Sequence, residues 1–139
     1  MATLTLEAGL VYKLTNTAGI SNLISTRTYL ARIPQGATLP CLTYQRISTP
    51  RLHAHDSSGS AGTAHPRFQF DAWATTYSSA KAITDALRAA LNGFKGTITS
   101  GADSVVVQCA LVEDEVPEPD LGAGLERIRS DYFIWHIEA

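Results

Sequence analysis

RFQFDAWATTYSSAKAITDALRAALNGF, residues 67–94, decides the fold class. Over residues 67–74 the side chains alternate, with Phe68, Phe70, Ala72 and Ala74 on one face and Arg67, Gln69, Asp71 and Trp73 on the other, which is the period of a strand. The period then lengthens. Ile83, Ala86, Leu87, Ala90, Leu91 and Phe94 recur as one apolar stripe at helical spacing, with Lys81, Thr84, Asp85 and Arg88 on the far side. Such a stripe has to lie on a sheet. The hydroxyl run Thr75, Thr76, Ser78 and Ser79 supplies the cap, and Asn92-Gly93 the left-handed stop.

Working outward, residues 3–16 predict a first amphipathic helix: Leu6, Leu10 and Leu14 with Val11 beside them, Thr3 as cap, Glu7 near the positive end of the dipole. Residues 17–24 fit either one further helical turn or a plain connection. Residues 28–33 read as extended, and Pro34-Gln35-Gly36 and Leu39-Pro40 then bracket a loop that delivers a strand at 41–48. Beyond the central helix a short strand fits 97–99, and the β-branched run 104–112 predicts a strand buried on both faces at its start. The closing segment 125–138 carries Phe133, Trp135 and Ile137 on one face and Tyr132 and Ile134 on the other, so it occupies the interior of the sheet or has an outer face that something covers, such as a neighbouring subunit.

These elements predict a single α+β domain over 1–139, with a mainly antiparallel sheet of about four to five strands and two helices packed on one face. Two segments lack any period. Residues 49–66, rich in Ser, Gly, Ala and His, form a long loop that reads as a contact arm or as a connection with no role. Residues 113–124 hold five of the thirteen acids within eight positions, with prolines and glycines, and read as an acidic hairpin loop that repels itself and stays solvated.

A chain of 139 residues with 45% hydrophobic and 17% charged side chains has the size and composition of one globular domain. A net charge of −2 provides no global field for gripping a phosphate backbone. Cys41 and Cys109 both sit in apolar strand runs and read as core thiols. The N-terminus shows no basic region followed by an apolar run, and no window approaches the length of a membrane span, so a soluble, cytoplasmically made product is expected.

Chemistry is sparse. The most enzyme-like constellation is His53, His55 and Asp56 with His65, whose imidazoles and carboxylate suit a divalent metal, but they lie in the aperiodic segment, whereas metal ligands are normally held by rigid elements. Gly59 and Gly62 precede neither a Lys-Ser/Thr pair nor a helix, and no nucleophile elbow is present. Asp71 favours a structural pairing with Arg67 or Arg46 over catalysis. Arg27, Arg32, Arg46, Arg51 and Arg67 concentrate basic charge in the first half without interleaved aromatics, which makes a poor single-strand binding stripe. A non-enzymatic protein without a cofactor or bound metal is expected.

Several segments then follow in a fixed order: the opening helix; Arg32-Ile33-Pro34-Gln35-Gly36, Leu39-Pro40 and the strand ending Tyr44-Gln45-Arg46-Ile47-Ser48; the strand from Arg67 to Ala74; Tyr77, Ala80, Ala82, Ala86, Leu87 and Ala90, then Leu91-Asn92-Gly93-Phe94-Lys95-Gly96; an acidic Pro-containing hairpin; and Asp131-Tyr132-Phe133-Ile134-Trp135-His136. Together, over nearly the whole chain, they resemble the tail-completion or tail-terminator proteins of long-tailed bacteriophages and prophages. The resemblance implies a structural virion protein assembled in the bacterial host. Copies would form a ring, typically a hexamer, at the head-proximal end of the tail tube, between the tube protein and a head-closure or connector protein. DNA would be passing cargo only, and no membrane is involved. A ring needs one heterologous contact repeated around an axis. The candidate suppliers are Arg51, Leu52, His53 and His55 in the long loop and Phe133 and Trp135 in the closing strand. Glu113, Asp114, Glu115, Glu118 and Asp120 are candidates for an acidic rim of the bore. The competing readings are a small metal-dependent enzyme built on His53, His55, Asp56 and His65, and a monomeric adaptor module.

Overall fold

The computed structural model describes residues 5–50, 63–101, 103–119, 122 and 124–137. Their order is α1 (Leu6–Thr15), α2 (Ala18–Ile24), β1 (Thr28–Leu30), β2 (Cys41–Ser48), β3 (Thr63–Ala64), β4 (Arg67–Ala74), α3 (Tyr77–Leu91), β5 (Gly96–Ser100), β6 (Asp103–Pro117) and β7 (Glu126–Ile137). The sheet runs β1-β2-β4-β7-β6-β5, with β3 added beside β7. Only β1 and β2 pair in parallel; the other pairings are antiparallel. The α+β class is as expected, but three helices replace two and seven strands replace four or five.

The β4–α3 unit forms as its periodicities require. Phe68, Phe70, Ala72 and Ala74 are buried, and from α3 so are Ile83, Leu87 and Leu91. Thr76 caps the helix, its Oγ1 accepting from Ser79 N at 3.2 Å. After Leu91, Gly93 takes the left-handed backbone, with φ 81°, and donates its N–H to the Ala110 carbonyl at 2.6 Å, tying the helix end to β6. Thr84 is not on the far side of the helix as expected. It is fully buried, because its hydroxyl donates to the Ala80 carbonyl one turn back at 3.0 Å and so needs no water.

The opening helix starts later than expected. Thr5, not Thr3, is the cap, with Oγ1 accepting from Ala8 N. Leu6, Leu10 and Leu14 are buried, and Glu7 reaches across to Arg46 on β2 at 2.6 Å. The ambiguous segment 17–24 is α2, which turns Ile20 and Ile24 into the core. These helices share one apolar cluster with Phe68, Phe70, Tyr132 and Ile134. All three therefore cover the same face of the sheet.

The extended run expected over 28–33 pairs only as far as Leu30. β6 is longer than expected, continuing through Pro117 into the acidic run. It is also not buried on both faces at its start, since Val105 and Val107 are buried but Val106 between them is exposed; no helix covers its side of the sheet. Cys41 is buried, its thiol pKa pushed up to about 11 by desolvation, whereas Cys109 is only half-buried and does not belong to the core. β7 takes the interior position between β4 and β6, with Tyr132 and Ile134 under the helices and Phe133 and Trp135 on the opposite face. No described helix is long and apolar enough to cross a membrane.

Candidate subunit-contact face

Opposite the helices the sheet presents a second face with two contrasting halves. One half is ionic. Arg67 meets Asp131 at 2.8 Å and Glu113 at 3.5 Å. Arg129 meets Glu118 at 2.8 Å, and Arg127 also contacts Glu118 while its guanidinium lies 5.2 Å from the Trp73 ring centre. Asp71 is buried here; desolvation holds its carboxyl above the usual carboxylate range, although the Gln69 amide donates to both its oxygens at 3.2 Å. Its nearest cation is Arg127 at 3.8 Å, not Arg67 or Arg46 as expected. Arg46 projects to the helix face, where it meets Glu7, and Arg67 lies four residues along the same strand from Asp71, a distance of roughly 13 Å.

The other half is apolar. Phe133 and Trp135 from β7, Leu111 from β6 and His65, just after β3, line a shallow groove of ≈ 410 Å³ with Glu113 at its rim. The His65 ring stacks on Trp135 with centroids 4.2 Å apart and planes 16° apart. Leu111 is 47% exposed and Ile137, one strand position beyond His136, is 44% exposed. These are large side chains for a surface that no described helix covers.

The sequence profile of the family described as tail completion protein gp17 matches residues 8–136. The chain belongs to that family. It is thus a structural protein of the phage-tail type. In fold it is similar to a chain from the virion of a native gene transfer agent particle, with a TM-score of 0.72, 19% identity, and coverage of 96% of this chain and 95% of the other. No curated protein matches it.

Within this family member, the structure brings together only some of the side chains singled out in the sequence. Phe133 and Trp135 share the groove. Arg51, Leu52, His53, His55 and Asp56 lie outside the described residues, as does Asp120. Of the four metal-ligand candidates only His65 is described, and it is stacked on Trp135. No cluster of three metal-ligating side chains occurs among the described residues.

The acids of 113–118 do not form a free loop repelling itself. Glu115 turns to the helix face, where Arg88 lies at 3.3 Å and Lys81 at 3.9 Å. Glu113 and Glu118 face the other way and pair with arginines of β4 and β7. Asp114 alone of the four has no cation within ion-pair distance among the described residues; its Oδ1 accepts from Glu115 N at 2.9 Å. Basic partners on three other elements let the strand continue through a sequence that would repel itself in isolation.

Sequence reasoning missed His65 and Leu111 as groove residues. Leu111 was hidden by the first of two register shifts in β6, the one between Val107 and Cys109; the second falls beyond it, between Val112 and Asp114. Each reverses which parity faces the helices, so simple alternation from Val105 assigns Cys109 to Val112 to the wrong side and is in phase again only from Asp114 on.

Proposed function

We propose that the chain is a non-enzymatic virion protein that closes the head-proximal end of the phage tail tube as a ring of identical copies. In that position it ends tube growth and docks the tail to the head-neck connector. Family membership supports the tail assignment. The observation carrying the ring is the apolar groove at Leu111, Phe133 and Trp135: no described element covers these side chains, whereas a repeated heterologous contact would. Partners are copies of itself, the tube protein and a head-closure protein, with DNA as passing cargo.

The acidic run, in this reading, rims the bore and repels DNA in transit. Glu113, Glu115 and Glu118 spend much of their charge on arginines and a lysine of the same subunit, so among the described acids Asp114 has the most charge left for that repulsion. Removing the gene from its parent element tests the function. The expected products are filled heads without tails and tube-protein assemblies of uncontrolled length. Normal, head-attached tails in its absence would refute the proposal.

A further inference from the structure

The groove asks for a specific occupant: something apolar enough to fill the space between Leu111, Phe133 and Trp135, and basic enough to face its acidic rim, where the single Arg67 stands against three carboxylates, Glu113, Asp131 and Asp114. The chain itself carries such a segment. At the end of β1 Leu30 is 63% exposed, the least covered large apolar side chain described. Arg32 beside it is also exposed, no described carboxylate pairs with it, and the half-buried Ile33 follows.

Their placement suits a head-to-tail contact. Leu30 pairs in register with Tyr44, and Tyr44 with Phe70, which puts Leu30 on the helix side of the sheet at the β1 edge. The groove is on the opposite face, near the other edge, on β6 and β7. Two complementary patches on opposite faces and opposite edges let neighbouring subunits overlap like roof tiles. One such contact, repeated, is heterologous and generates a ring when the rotation closes.

We propose that the groove at Leu111, Phe133 and Trp135 receives the β1 edge of the adjacent copy, with Leu30 entering the apolar space and Arg32 facing Glu113 and Asp114. This rests on the ring reading above and specifies which surfaces meet. Burying the groove covers mainly apolar side chains, the Glu113–Arg67 pair at its rim gains Arg32 as a second cation, and the acidic rim sets polarity by excluding an acidic edge.

Disulfide mapping on assembled particles tests it, with Leu30→Cys and Leu111→Cys in one chain and Cys109→Ala removing the half-buried native thiol. Within a subunit β1 and β6 are four strand spacings apart, roughly 19 Å, far beyond the roughly 7 Å limit for a disulfide, so any bond formed joins two copies. The expected result is an oxidant-dependent ladder of oligomers ending at the closed ring, absent when either introduced cysteine is present alone beside the buried Cys41. In parallel, Arg32→Glu or Asp114→Arg should each lower incorporation into particles by roughly tenfold or more, and the two reversals in one chain should restore it. A missing ladder where an amine-reactive reagent still links the copies would overturn this interface and leave the ring standing. If the amine reagent also yields only monomers, the ring fails and the interface with it. A bond from Leu111→Cys to a different virion protein, or from Leu30→Cys to itself, would equally overturn the assignment, as would reversals that fail to rescue one another.

Discussion

Leu87→Ala isolates the packing of α3 on the sheet. Leu87 is 1% exposed in the central cluster with Phe70, Ile83 and Tyr132. Deleting three carbons there loses their transfer free energy and leaves a void that a helix held at both ends closes poorly, a cost of about 2 to 5 kcal/mol. Its neighbour Arg88 is the control. Arg88 makes ion pairs with Asp85 at 3.2 Å and Glu115 at 3.3 Å, but its side chain is 44% exposed, so Arg88→Ala should cost about 0.5 kcal/mol or less after solvent screening. With a urea dependence of about 1.5 to 2 kcal/mol per molar, as for small domains, the midpoint should fall by roughly 1 to 3 M for Leu87→Ala and by at most about 0.3 M for Arg88→Ala. Far-UV circular dichroism through a urea titration measures both. If Leu87→Ala is too unstable to titrate, Ile83→Val, also 1% exposed, should lose about 0.5 to 1.5 kcal/mol and serves the same comparison. Equal shifts at 87 and 88 would refute the phase of α3 on the sheet.

Three further outcomes follow from local geometry. Thr76→Ala removes the oxygen that accepts from Ser79 N and should cost about 1 kcal/mol in thermal or urea unfolding, while Thr75→Ala beside it should be silent. Gly93→Ala has open space for its methyl group but forces φ 81° on a residue with a Cβ; about 1 kcal/mol of destabilisation is expected, and a gain in stability would show that the turn relaxes freely. Asp71 has its folded pKa raised by desolvation above the ordinary value of 3.8, so the folded state takes up a proton before the unfolded chain does, and this group's contribution to stability grows as pH falls through the folded pKa and is complete below the unfolded one. Asp71→Asn should abolish that increment in stability measured across mildly acidic pH; an unchanged pH profile would assign the titration elsewhere.

What could be read from the sequence was whatever local periodicity decides. The 67–74 strand alternates without a break, and the residues of α3 that the stripe names, Ile83, Leu87 and Leu91, are the ones buried. The illegible parts were decided by residues distant in the chain. α2 is seven residues long and is helical because Ile20 and Ile24 find the shared core, not because of intrinsic propensity. Thr84 looks like a surface residue until its bond to the Ala80 carbonyl is counted. The acidic run looks like a loop until Arg67, Arg88, Arg127 and Arg129 are brought beside it from two strands and a helix. For the candidate site, Phe133 and Trp135 were visible because β7 pairs with β4 without interruption, whereas the shift in β6 between Val107 and Cys109 concealed Leu111.

The division of the helix-free face into an ionic half and an apolar half bears on how a partner can approach. Covering the ionic half would remove Asp71, Asp131, Arg127 and Arg129 from what solvent they retain. Their contacts are incomplete: Asp71 to Arg127 and Asp131 to Arg129 are 3.8 and 3.9 Å apart, too long for hydrogen bonds. Desolvating such pairs costs more than their attraction returns unless the partner supplies matching donors and acceptors. The apolar half carries no such cost, since Leu111, Phe133 and Trp135 lose only water. An apolar partner edge is therefore drawn to one end of the sheet and held off the other. The shared rim residue Glu113, anchored to Arg67, marks where one regime gives way to the next. A contact confined to the groove, as in the proposed ring, would leave the ionic half of the face open to solvent, the condition under which its charges can stay paired and hydrated.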